Sequence, residues 1–264
     1  MTLIYIVASN WVDSEANRQK RMKTQLLTAI LVLITLLNVF GQNKTIFPNL
    51  TKISIDTTYK VVFGYDTKTS RLINKPCYML NKKDPLHCDK GSVFAEWTLV
   101  AKFKDGSKKD SLNIIYSEGM SADPGFVIST KAGKIVSRFS CIEFYINSFG
   151  TIYTSGHVNN MYDRRRKFQI QADTITEIKQ PYNFVGLKGK ALRDITLYKD
   201  KIGDEIVAQI PNGYEIEILL AGSAAKDFET ELNFLVKTEF GLVGWLRLDG
   251  FSDRVIEGLY YAGD

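Results

Sequence analysis

Three cysteines and two histidines are the side chains of this 264-residue chain best suited to chemistry. A thiol becomes a nucleophile when a nearby imidazole takes its proton. His87 adjoins Cys88 in sequence, but successive residues of an extended segment point to opposite sides, so that pair is poorly placed for proton transfer. Cys141 and His157 could meet across a hairpin, and they are the candidate dyad of a cysteine peptidase. Against that, Cys141 opens the apolar strand-like run CIEFYI, where a buried free thiol is the simpler expectation. Cys77 and Cys88 bracket the turn-rich segment PCYMLNKKDPLHC, and a disulfide between them is a candidate. Closing that loop would add about 3 kcal/mol by restricting the unfolded chain.

Other chemistries find little to use. There is no His-x-x-x-His, no paired Cys-x-x-Cys, no Asp-rich calcium loop and no phosphate-cradling glycine loop, so no metal or cofactor is expected. The densest charge cluster is Arg164, Arg165, Arg166 and Lys167, which reads either as a solvated strand end or as an anion-contact patch. Asn43-Lys44-Thr45 and Asn49-Leu50-Thr51 fit glycosylation sequons, a pattern short enough to arise by chance.

Charge divides unevenly along the chain. The formal net charge is +5. Residues 42–183 hold 21 Lys and Arg against 13 Asp and Glu, a net of +8, whereas residues 184–264 hold 9 against 14, a net of −5. The basic part could meet an anionic partner, or the two parts could dock on one another; an anionic glycan is a better partner than nucleic acid for an exported chain.

Export is suggested by the apolar run LLTAILVLITLLNVF, residues 26–40, behind Lys20, Arg21 and Lys23. A basic flank before a short apolar run reads as a signal peptide, and the run falls short of the roughly 20 residues of a bilayer-spanning helix. The junction Val39-Phe40-Gly41-Gln42 resembles the cleavage sites of secreted Bacteroidetes proteins, which implies a mature chain starting at Gln42 with no stable membrane span. Asp13 and Glu15 do not suit a signal peptide, so Met22 is the expected true start of a leader covering residues 1–41.

Beyond the leader, period-two alternation dominates. Val93, Ala95, Trp97, Leu99, Ala101 and Phe103 are apolar at every second position, as are Tyr59, Val61, Phe63 and Tyr65. Asp105-Gly106 signals a hairpin turn toward Leu112, Ile114 and Tyr116. Ile142, Phe144 and Ile146 alternate before a turn at Ser148-Phe149-Gly150, and another hairpin is expected over residues 168–178 with Ala172-Asp173 at its tip. The best helical candidate is short, at residues 224–232. An all-β protein is expected, with an antiparallel sandwich or open barrel over residues 42–183, a junction at Gln180-Pro181-Tyr182 and a second unit over residues 184–264.

In that second unit, Leu192 and Leu197, the loop from Lys199 to Asp204, Ile206 and Ile210 before Asn212-Gly213, Ile216 and Ile218, Phe234 and Val236, and finally Gly244-Trp245-Leu246 follow one another in a familiar order. Together they resemble a bacterial SH3-like (SH3b) domain. The Arg-Ser-Gly-Pro run common in that family is replaced by Asp194 to Lys199, and residues 223–231 form an insertion. The resemblance implies a small SH3-like barrel that binds cell-wall peptide or glycan, or an envelope protein. Tyr198, Tyr214 and Trp245 are the aromatic candidates for its ligand surface. Family members that accompany cysteine endopeptidases sit beside a helix-borne thiol, unlike the strand-like setting of Cys141. The expectation is a non-catalytic, secreted or periplasmic binding protein, with the Cys141–His157 hydrolase as the alternative.

Overall fold

The computed structural model describes residues 46–92, 97–104, 111–119, 123–171, 174–222 and 232–263. The leader, the cleavage junction, the Asp105-Gly106 turn, the Ala172-Asp173 tip and most of the 224–232 segment lie outside these residues. The protein is all-β: among the described residues there are seventeen strands, one 3-10 turn at Cys77–Met79 and no α-helix. In chain order the strands are β1 (Thr51–Asp56), β2 (Val61–Tyr65), β3 (Ser70–Pro76), β4 (Thr98–Phe103), β5 (Leu112–Ser117), β6 (Gly125–Ser129), β7 (Ile135–Ser140), β8 (Glu143–Ile146) and β9 (Thr151–Gly156). They continue as β10 (Arg164–Gln171), β11 (Thr174–Glu177), β12 (Tyr182–Lys190), β13 (Ile195–Tyr198), β14 (Ile206–Ile210), β15 (Glu215–Gly222), β16 (Asn233–Thr238) and β17 (Val243–Arg247). No helix of the described residues is long and apolar enough to cross a membrane.

Three sheets result. The first runs β1-β2-β8-β9-β10-β11, the second β3-β4-β5-β6-β7 and the third β12-β15-β16-β17-β13-β14. All named pairs are antiparallel except β2 with β8, which is parallel. This one pairing departs from the antiparallel pattern expected of the first unit: the chain leaves after β2, builds the entire second sheet, and returns as β8 alongside the strand it left. A connection of that length permits parallel pairing, which a tight hairpin cannot.

Sheets one and two face one another across a shared core. Phe63, Phe144, Ile146, Ile152 and Phe168 come from the first, and Val100, Phe103, Ile114, Phe126 and Phe139 from the second. The aromatic rings interlock across the interface: Phe126 stacks on Phe144 at 4.8 Å between centroids, and Phe139 meets Phe168 edge-on at 4.9 Å. Each such buried ring contributes roughly 1.5–3 kcal/mol by removing apolar surface from water. A cross-sheet hydrogen bond, Tyr116 Oη donating to Asp56 Oδ2 at 3.0 Å, ties the margin of this core.

The alternation expected at Leu99, Ala101 and Phe103 does not hold to one face. A bulge between Leu99 and Ala101 shifts the register of β4 on β5. Val100, Ala101 and Phe103 therefore enter the shared core, while Leu99 turns to the other side with Ile115, Val127 and Leu86. One extra residue in a strand re-aims everything on one side of it. That outer cluster is covered by the segment which the Cys77–Cys88 disulfide closes, with a Cα–Cα distance of 5.3 Å.

The third sheet encloses a separate core of Leu197, Ile210, Ile216, Ile218, Phe234, Val236 and Leu246, capped by Val255, Ile256 and Leu259 of the C-terminal tail. Two of its members come from much earlier in the chain: Met161 and Tyr162, in the loop between β9 and β10. The tail returns to that loop, with Ala262 N donating to Asn160 O at 2.9 Å. Strand β12 opens at Tyr182 and buries Asn183, so the expected boundary at 183/184 cuts through a strand. Leu192, expected as an apolar member of a core strand, is 48% exposed, because it precedes β13 in a short connection. Gly213 takes φ +83° in the turn after β14, a conformation that glycine adopts without steric cost.

Candidate functional site

The Cys141–His157 dyad is not set up for nucleophilic attack. Cys141 is 1% exposed, its Sγ lies 3.7 Å from Phe139 O, and burial pushes its thiol well above the usual range. The thiolate that would attack a substrate is thus strongly disfavoured. His157 is engaged elsewhere: its Nε2 is 2.8 Å from Tyr260 O and its ring packs on the Tyr260 ring at 4.6 Å. The imidazole holds the C-terminal tail in place. Among the described residues no group of three His, Cys, Asp or Glu side chains is arranged to hold a metal ion.

The basic run on β10 does not present four cations together. Alternation sends Arg166 to the inner side of the strand, where Nε donates to Glu177 Oε1 at 2.8 Å and Nη2 to Oε2, and the guanidinium lies over Phe168 at 4.7 Å. Arg165 and Lys167 face outward. Arg165 pairs with Asp163 at 2.9 Å and reaches toward the ring of Phe184, 5.8 Å away; Lys167 lies 5.9 Å from the ring of Tyr153. The half-buried Arg164 precedes them on the inner side.

Tyr198 and Trp245, by contrast, stand side by side. They are direct partners on β13 and β17. Following the register outward from that pair reveals a row spanning the whole third sheet: Phe184 opposite Leu220, Leu220 opposite Leu235, Leu235 opposite Trp245, Trp245 opposite Tyr198, and Tyr198 opposite Ile206. Every strand of the sheet contributes one apolar or aromatic side chain. Their chain neighbours Ala221, Phe234, Leu246 and Leu197 are buried in the third core, so the row lies on the opposite, outward face. Phe184 is 60% and Ile206 52% exposed, and the four between them are half-buried. At strand spacings of about 4.8 Å the belt is about 24 Å long. The row is contiguous across the sheet, unlike the singly scattered apolar side chains of an ordinary surface.

Cations sit on this belt. Lys201 Nζ lies 4.6 Å from the ring of Trp245 and 4.9 Å from that of Tyr182, which is itself 6.1 Å from the Trp245 ring. Gly222, opposite Tyr182, leaves the space: a Cβ there would be 2.8 Å from the ammonium. Arg247 covers Tyr198 at 4.0 Å and donates from Nη2 to Asp200 O at 2.9 Å and to Gly203 O. Arg165 approaches Phe184 at the far end. Cation–π contacts of this kind fix a positive group over an aromatic face.

Tyr214 does not belong to the belt. It packs against the third core beside the β14–β15 turn, its carbonyl accepting from Ala191 N at 3.0 Å. The sequence reading also missed Tyr182, Phe184, Ile206, Leu220, Leu235, Lys201 and Arg247 as members of this surface. Part of it was readable: Phe234-Leu235-Val236 and Ile218-Leu219-Leu220 are apolar without alternation, which is what a strand with two apolar faces looks like.

A groove of about 430 Å³ lies elsewhere on the same sheet, lined by Lys188, Lys190, Glu215, Glu217, Lys237 and Glu257 among others. Its charges alternate in sign across neighbouring strands, with Lys237 and Glu217 paired at 3.5 Å. Comparison with known protein families, with curated proteins and with solved structures finds no match for this chain.

Proposed function

We propose that this chain is a non-catalytic binding protein of the bacterial cell envelope, exported and then engaging envelope material or an envelope protein through the outward belt of its third sheet. The belt is the observation that carries the reading: six strands each place one apolar or aromatic group on a face turned away from their own core. The likeness of residues 184–264 to SH3b domains supports a small β-domain that binds rather than reacts. The disulfide between Cys77 and Cys88 supports export, since such bonds persist in oxidising compartments. The buried, protonated Cys141 speaks against the hydrolase alternative.

Retention of the purified protein on cell-wall sacculi and on membrane extracts tests this. The variants are Phe184→Ser and Ile206→Ser, chosen because their side chains are the most exposed of the belt and contribute least to folding. Retention is expected to fall about tenfold in each, with little change in melting temperature, as loss of a contact of about 1.4 kcal/mol requires. Undiminished retention in both would remove the belt from the function. Release of muropeptides by the parent protein, abolished by Cys141→Ala, would replace the binding reading with the enzymatic one.

A further inference from the structure

We infer that the belt takes an acidic polysaccharide, one whose sugar rings lie on the aromatic and aliphatic row and whose carboxylates meet Lys201 and Arg247. The inference rests on the belt being the binding surface and adds the chemical class of what it binds.

Two observations narrow the class. First, the cations on the belt are held in place and largely uncompensated. Neither Lys201 nor Arg247 makes an ion pair among the described residues: Lys201 rests on two rings, and Arg247 is held by two backbone carbonyls. Acidic neighbours exist, but Glu205 pairs with Lys199 at 2.9 Å, and the exposed Asp200 and Asp204 close on neither cation. Arg165, the third cation, is already paired with Asp163 and serves mainly to flank Phe184. An arriving carboxylate therefore gains charge-assisted hydrogen bonds without displacing a partner.

Second, the surface is the face of a sheet. A peptide ligand of a sheet gains much of its affinity from main-chain hydrogen bonds, which are available only along an edge strand. In the middle of the row, backbone groups of β15, β16 and β17 are already paired with neighbouring strands. Pyranose rings ask for none of these; their C–H faces pack on Trp245, Tyr182 and Phe184 while their hydroxyls stay in water.

Isothermal titration calorimetry on the whole protein, with a hexameric oligogalacturonate, its fully methyl-esterified counterpart and poly-glutamate of similar charge, tests this. The uronate hexamer is expected to bind, and the ester about tenfold more weakly, with most of the difference vanishing at high salt. Lys201→Gln and Arg247→Gln should each bring the uronate down toward the ester, while Phe184→Ala weakens both ligands together. Equal binding of acid and ester, or tighter binding of poly-glutamate than of the uronate, overturns the assignment. If retention on sacculi still depends on Phe184 and Ile206 in either case, the belt remains the binding surface and only the ligand class is wrong. If neither retention nor titration responds to any belt variant, the belt itself is not the site.

Discussion

Cys141 shows how burial silences a side chain that sequence alone leaves open. Its thiol is pushed up by desolvation, so the folded protein holds the proton at pH values where an exposed cysteine gives it up. Two outcomes follow. At pH 8 a disulfide-exchange reagent should modify no thiol of the native protein and one per chain after denaturation in urea. Stability should also decline as pH rises through about 8.5, because the unfolded chain then loses a proton which the folded chain keeps; a flat urea midpoint from pH 7.5 to 9.5 in the parent, or the same decline in Cys141→Ala, would contradict it. The apolar company of Cys141 in CIEFYI made its burial legible, whereas the fate of His157 was not. Its partner, the Tyr260 carbonyl, lies 103 residues away, and no local pattern announces a contact of that separation.

Strands were the most legible elements, because side chains alternate across a sheet and burial of one face writes that alternation into the sequence. Bulges were not. The shift between Leu99 and Ala101 alters which residues share a face without altering composition, and those between Ile218 and Leu220 and between Phe184 and Leu187 do the same in the third sheet. The belt depends on these registers, so only its Tyr198–Trp245 centre could be guessed. Where β17 crosses β13, Gly244 allows the close approach: a Cβ would lie 2.9 Å from Leu197 Cβ and 3.0 Å from Tyr198 O. Gly244→Ala should cost about 1–3 kcal/mol in urea unfolding, the usual penalty of overpacking, and should weaken belt binding by separating Trp245 from Tyr198. The disulfide-closed segment covers the outer face of the second sheet. Its removal in a Cys77→Ala, Cys88→Ala double variant should lower stability by about 3 kcal/mol and leave retention on sacculi unchanged.

For the molecule as a whole, the two charge-distinct parts of the sequence are not independent pieces. The residues from Asn49 on form one compact unit, and the third core is completed by Met161 and Tyr162 from the part that otherwise builds the first sheet. Neither residue advertises this, since an apolar pair in a loop reads as local packing. Met161→Ala should destabilise by about 2–5 kcal/mol, as for other fully buried large side chains, and a fragment of residues 182–264 should show neither the amide dispersion nor the cooperative melt that the full chain gives. The same geometry bears on how the protein is made. Val255, Ile256 and Leu259 close the third core, and Ala262 pairs back to Asn160, so residues that follow β17 secure a loop that precedes β10. Pauses in synthesis before residue 255 therefore leave β12 to β17 without their closure, and the belt matures only once Val255, Ile256 and Leu259 have joined the third core.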